Sequence, residues 1–184
     1  MTGKPAIFFD RDGTLIVEKG YLHEPDKVEL MPGAGEAVSR LAKDGFELFI
    51  VTNQAGIGRG YFTEEQMHAT NTSVCEKFSK FDVTFRKIYF APEAPNQPSR
   101  NRKPSPQMIL DAQTDFSINL MESYMVGDKT LDIECGNNAG VKMSVLVRTG
   151  YGQEHESQLS QVHQPFIVVD TLNDFANIAL DKNK

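Results

Sequence analysis

The order in which short β-rich runs alternate with segments of helical period constrains this chain most, because that order folds into a parallel sheet with helices on both faces. Strands are expected at Ala6–Phe9, at FELFIVT from Phe46 to Thr52, at Lys87–Ala91, at SYMVGD from Ser123, at Ser144–Val147 and at Phe166–Val169. Between them, Gly33–Lys43 carries Ala34, Ala37, Val38 and Leu41 at helical spacing, with Gly45 as its stop. Thr63 opens TEEQ, a capping box, so a helix should run from there to about Phe78. Pro104–Phe116, Leu131–Ala139 and Thr171–Leu180 complete the helices. The expectation is an α/β chain with a doubly wound, mostly parallel sheet, in one domain over residues 1–184.

The formal charge of -6 provides no basic field for nucleic acid or an anionic membrane, so a bound phosphate must be held by local groups. No run of about eighteen apolar residues occurs, and no targeting segment is visible at the N-terminus, so a chain free of membranes and unexported is expected. Cys75 and Cys135 lie sixty residues apart in expected helices and read as reduced core thiols.

Ligands bind beyond the carboxyl ends of strands in an open parallel sheet. Four strand ends carry chemistry here: Asp10-Arg11-Asp12-Gly13-Thr14, Thr52-Asn53-Gln54, Arg102-Lys103-Pro104, and Gly127-Asp128 with Asp132 following. Converging carboxylates need a cation, and oxygen ligands without histidine suit Mg²⁺. A lysine, a hydroxyl and an amide can then neutralise and bind phosphoryl oxygens. Each motif alone could be a turn or a helix cap, but turns do not explain four of them in order at the same end of successive strands.

Taken together, DxDGT, TN, a later Lys-Pro and GDxxxD resemble the motif set of the haloacid dehalogenase (HAD) superfamily, over roughly residues 6 to 150. Within it, FFDRDGTLIVEKGYLHEPDKVELMPGA, VTNQAGIGRGYFTEEQM, RKPSPQM and YMVGDKTLDIECGNNAGVK resemble the heptose bisphosphate phosphatases and the related histidinol-phosphate phosphatases, which are cytoplasmic and essentially capless. The resemblance implies an aspartyl-phosphate mechanism acting on a small phosphorylated metabolite. Asp10 would be the nucleophile and Asp12 the general acid and base. Asp10, the Asp12 carbonyl and Asp128 would hold Mg²⁺. Thr52, Asn53 and Lys103 would bind the phosphoryl oxygens, Arg102 the substrate or its second phosphate, and Lys129 and Asp132 would be supports. A heptose 1,7-bisphosphate is the expected substrate, with histidinol phosphate or another sugar phosphate as the alternative. A monomer is the expected assembly.

Many members of that family carry a zinc loop of three cysteines and a histidine before the Arg-Lys-Pro motif. The corresponding stretch, YFAPEAPNQPSRNRKP, has neither residue, with Ala91, Glu93 and Asn101 near the ligand positions, so no zinc is expected there. Pro92, Pro95 and Pro98 are available to stiffen the loop instead. The long connection from Arg11 to Met31 reads as a flap whose Tyr21-Leu22-His23 segment is a specificity candidate. His23 itself reads more simply as a solvated loop residue, as do Glu64-Glu65 and the C-terminal DKNK as surface, while Arg59 has no assigned role. His68, His155 and His163 show no metal-binding spacing. A phosphoacceptor signalling module is disfavoured because its acidic residue ends a middle strand, and a dead scaffold because the acidic set and Lys103 are intact.

Overall fold

Strand β1 (Ala6–Phe9) is buried along its whole length in the computed structural model, which describes residues 3–162 and 165–181. His163 and the end of the DKNK run lie outside the described residues. After β1 come α1 (Ala34–Lys43), β2 (Glu47–Asn53), a short α2 (Ala55–Gly58), α3 (Glu64–Ser79) and β3 (Lys87–Ala91). The second half runs α4 (Gln107–Phe116), β4 (Tyr124–Gly127), α5 (Thr130–Ala139), β5 (Met143–Val147), α6 (Gly152–Glu156), β6 (Phe166–Val169) and α7 (Leu172–Ala179). Every strand pairing is parallel and the order across the sheet is β3-β2-β1-β4-β5-β6.

Because successive side chains of a strand face opposite ways, β1 supplies both layers of the core. Ile7 and Phe9 pack with Val38 and Leu41 of α1, Phe78 of α3 and Phe175 of α7. Ala6 and Phe8 pack on the other face with Met108, Ile109 and Ala112 of α4 and with Cys135 of α5. Cys135 is the core thiol expected, whereas Cys75 is only partly buried; both are free.

The chain winds outward in opposite directions from β1 and β4, and the crevice between such neighbours is where ligands bind. Phe9 pairs with Val126, and the Asp10 N–H continues the ladder to the Val126 carbonyl at 2.8 Å. Asp10 and Asp128 therefore emerge side by side. Thr63 caps α3 as expected, accepting from the Gln66 N–H at 3.3 Å while the Gln66 side chain accepts from Thr63 N–H at 2.9 Å.

Helix α4 corrects one boundary. It begins at Gln107 and not at Pro104, because residues 102–105 form a turn closed by Ser105 N–H on the Arg102 carbonyl at 2.9 Å, and the Pro106 carbonyl accepts the first helical bonds. The peptide Lys103-Pro104 is cis. The flap proves to be a small hairpin: Val17 N–H bonds Glu29 O at 2.9 Å, Met31 N–H bonds Leu15 O at 3.0 Å, and Ser73 of α3 ties down its tip by donating to Pro25 O at 2.8 Å. Among the described residues no separate cap domain is present and no helix is long and apolar enough to cross a membrane.

Phe49 is fully buried and packs on Phe8 and on Phe116, each with its ring centroid 5.2 Å away. Phe49→Ala should therefore cost about 3–5 kcal/mol, read as a lower urea midpoint at unchanged slope; a loss below about 1 kcal/mol would mean that this face of the sheet repacks freely.

Candidate active site

The floor of the site is a buried lysine between two buried carboxylates. Lys103 Nζ donates to Asp10 Oδ1 at 2.7 Å and to Val51 O at 2.8 Å, and lies 2.6 Å from Asp132 Oδ1. All three side chains are nearly inaccessible, so each charge depends on the others. Burial would push the Lys103 pKa down, but Asp10 and Asp132 outweigh it and hold the ammonium protonated. Burial alone would raise the Asp10 pKa, and Lys103 and Lys129 together pull it below the ordinary carboxylate value. Asp10 is thus an ionised oxygen base at the tip of the first strand.

Asn53 places that lysine. Its Oδ1 accepts from Lys103 N–H at 3.0 Å and its Nδ2 donates to Lys103 O at 3.2 Å, a reciprocal pair that pins the lysine backbone against the end of β2. The second Nδ2 hydrogen stays available, and Asn53 lines the cavity above the lysine. Thr52 likewise keeps a donor: its Oγ1 accepts from Gln54 Nε2 at 2.8 Å, which leaves its own hydrogen to donate.

Asp128 completes an all-oxygen cluster, with ligand atoms of Asp10, Asp128 and Asp132 all within 4.8 Å of one another. Asp128 Oδ2 accepts from Tyr151 N–H at 2.9 Å, whereas Oδ1 is buried with no hydrogen-bond partner. Asp132 is already satisfied, by Lys103 on one oxygen and by Lys129 N–H at 3.0 Å on the other. Gly13 and Gly150, both at positive φ, press against Asp128 Oδ2 where a Cβ would collide with it. Burial, reinforced by Asp10, raises Asp128 to about 8. An orphaned buried carboxylate oxygen beside the ionised Asp10 fits a hard divalent cation.

Asp12 is turned sideways from this cluster, with a side chain 15% exposed and paired to Arg11. A cavity of about 330 Å³ opens over Asp10, Asp12 and Lys103, within the range of small-ligand pockets. Its walls include Arg102, Lys129, Glu18 and Tyr21. Lys129 Nζ lies 3.8 Å from Glu18 Oε2 and 4.0 Å from Asp128 Oδ1, and stands 4.8 Å over the Tyr151 ring. Burial and then Asp12 raise the Glu18 pKa. Burial and then the nearby Arg59 lower that of Arg102.

The flap contributes Tyr21, held at φ 48° with its ring edge-on to Tyr61 and 5.9 Å from the Arg59 guanidinium carbon. His23 departs from the solvated-loop expectation: it is half-buried and stacked on Phe62 at 5.2 Å. The cysteine-free loop before Lys103 is held by a knot at Ser99, whose hydroxyl donates to Glu93 Oε2 at 2.8 Å and accepts from Arg102 N–H at 3.0 Å. Arg102 Nη1 also donates to Glu93 O at 3.0 Å, and Arg100 forks onto Asp111 at 2.9 and 3.0 Å.

Sequence reasoning passed over Arg11, Gln54, Glu18 and Tyr151. Arg11 and Gln54 stood inside motifs it had already found, DRD and TNQ, while Glu18 and Tyr151 sit in loops with no signature.

A parallel sheet with this strand order, ending in an ionised carboxylate, a buried lysine and an acidic cluster fit for a cation, defines a phosphatase of the HAD superfamily. The HAD-hydrolase-like family model matches residues 100–175. A D-glycero-beta-D-manno-heptose-1,7-bisphosphate 7-phosphatase of Photorhabdus laumondii is 40% identical over 80% of this chain and 82% of its own length, and that of Escherichia coli K12 is 43% identical over 79% and 80%. The crystal structure of the D,D-heptose 1,7-bisphosphate phosphatase of B. bronchiseptica, complexed with magnesium and phosphate, aligns at a TM-score of 0.89 and 26% identity, covering 96% of this chain and 98% of that one. The chain belongs to the heptose 1,7-bisphosphate phosphatase family.

The raised Asp128 fixes a pH dependence. Folded, this carboxyl keeps its proton up to about 8, against an ordinary value of 3.8, so across that window the folded chain holds a proton the unfolded chain has released. This contribution to stability is present at low pH and is lost as pH rises towards the folded value. A cation competes with that proton, so Mg²⁺ should raise the Tm more at about pH 8.5 than at about pH 6 in thermal scans; equal shifts at both would contradict the assignment of Asp128.

Proposed function

We propose that this protein removes the 7-phosphate of D-glycero-D-manno-heptose 1,7-bisphosphate by way of an aspartyl-phosphate on Asp10. The observation that carries the reading is a division of positive charge within one cavity. Lys103 is buried at the floor beside Asp10, while Arg102 and Lys129 stand on the walls, more than one phosphoryl group requires. A substrate with two phosphates matches that division, and it is the substrate named for the relatives.

In the proposed reaction an Asp10 oxygen attacks phosphorus, the bond from phosphorus to the sugar oxygen breaks, and Asp12 supplies a proton to that oxygen. Asp12 then takes a proton from a water that attacks the aspartyl-phosphate, releasing phosphate and restoring Asp10. Thr52 donates its hydroxyl hydrogen to the transferring group, and Lys103, set by Asn53, neutralises its equatorial oxygens. Asp132 orients Lys103, and Lys129 with Arg102 binds the phosphate that stays. Asp10, the Asp12 carbonyl and Asp128 would hold Mg²⁺, which masks the repulsion between a carboxylate and a phosphate dianion. Zinc has no part in this reading, since the loop before Arg102 is fastened by hydrogen bonds. We read the chain as a single domain, acting as a monomer in the cytoplasm.

The test is phosphate release from the heptose bisphosphate, histidinol phosphate and sugar monophosphates, with and without Mg²⁺. One phosphate per bisphosphate molecule is expected, with EDTA abolishing and Mg²⁺ restoring turnover. Preference for histidinol phosphate would overturn the substrate. Asp10→Asn should keep its fold and retain less than about a thousandth of the activity, and more than that would remove Asp10 as nucleophile.

A further inference from the structure

The largest fully buried side chain among the described residues is a charged one that the reaction above does not use. Arg11, 1% exposed, stands between the two motif carboxylates, and all of its guanidinium nitrogens are engaged. Nε donates to Asp12 Oδ2 at 3.0 Å and Nη2 to Asp12 Oδ1 at 3.2 Å, a fork onto both carboxylate oxygens. Nη2 also reaches Gln54 Oε1 at 3.1 Å and the Leu22 carbonyl of the flap at 3.3 Å. Nη1 donates to Asn71 Oδ1 on α3 at 2.8 Å.

Gln54 closes the network from the other side. Its Nε2 donates to Asp12 Oδ2 at 3.1 Å and to Thr52 Oγ1 at 2.8 Å, so one amide spans Asp12, Arg11 and the phosphate-facing hydroxyl. Three donors thus fix both oxygens of Asp12. A fork fixes the plane of a carboxylate as well as its position, which one lysine ammonium cannot do. Burying a guanidinium is costly, and an apolar side chain would fill the same space with less desolvation. Orientation is what the charge adds, because a proton donor displaced by about 1 Å can lose about a hundredfold in rate.

We propose that Arg11, braced by Asn71 and Gln54, is a positioning residue that sets the orientation of the Asp12 carboxylate and links it to the flap through the Leu22 carbonyl. The inference rests on the reading of Asp12 as the proton donor to the leaving oxygen. The competing role is a plain staple that fastens the flap to α3 with no effect on Asp12.

The leaving group separates the two roles. A sugar alkoxide needs a proton as it departs, whereas the phenolate of 4-nitrophenyl phosphate leaves without one. Single-turnover phosphorylation of the enzyme should be measured with the heptose bisphosphate and with 4-nitrophenyl phosphate, for the wild type, Arg11→Lys, Asn71→Ala and Asp12→Asn. Arg11→Lys should slow the sugar reaction by about tenfold or more, with KM and the aryl reaction each changed by less than about threefold. Asn71→Ala lies outside the cavity wall and should show the same split at about threefold, which keeps the test decisive if Arg11→Lys fails to fold. Equal losses on both substrates, or a change in KM alone, would overturn the positioning role. If Asp12→Asn shows no split, the reading of Asp12 falls and takes the inference with it. If Asp12→Asn splits the substrates and the folded Arg11 and Asn71 variants do not, only the inference falls.

Discussion

Everything at this site depends on one ammonium group being held in the protein interior between two carboxylates. Lys103 is buried at the junction of Asp10 and Asp132, and each member of the triad would be costly to bury alone. The arrangement places the triad at the crevice between β1 and β4, where the sheet reverses its winding. The pairing of Phe9 with Val126 puts Asp10 next to Asp128, and the reciprocal amide bonds of Asn53 bring Lys103 in from a loop. The fold thus delivers opposite charges to one point from three separate stretches of chain.

The same triad leaves a residue of negative charge. Lys103 serves Asp10 and Asp132, while Asp128, raised by burial and then by Asp10, keeps one oxygen without a hydrogen-bond partner. A protein whose acidic groups were fully paired internally would have no use for a cation. Here the deficit sits within 4.8 Å of Asp10, so a cation bound there would neutralise charge at the tip of the first strand.

Much of the architecture was legible in the sequence because short β-rich runs stand apart from segments of helical period. Ala6–Phe9, Lys87–Ala91 and Phe166–Val169 have the expected bounds, and the capping box at Thr63 starts α3 where its residues require. Helices α2 and α6 escaped notice since four or five residues are too few to show a period. The start of α4 was misplaced because Pro104 looks like a first-turn proline when read locally, yet sits in a turn set by Ser105 and Arg102. In the site, strand-end motifs pointed to the acidic residues and Lys103. The partners of Arg11 were not legible, because Gln54 and Asn71 lie 43 and 60 positions away and a hydrogen bond across the fold leaves no local pattern. The engagement of Asn53 with a backbone was hidden for the same reason.

The loop that carries Arg102 and Lys103 is fastened by the Ser99 hydroxyl, the Glu93 side chain and carbonyl, and the Arg100–Asp111 fork. One thiol joins them just past Lys103, where the buried Cys135 Sγ–H donates to the Ser105 carbonyl at 3.2 Å. An oxidant that reached Cys135 would remove one weak donor and leave the Ser99, Glu93 and Arg100 ties in place, so the cationic arm over Asp10 keeps its main fastenings when the redox state of its surroundings changes.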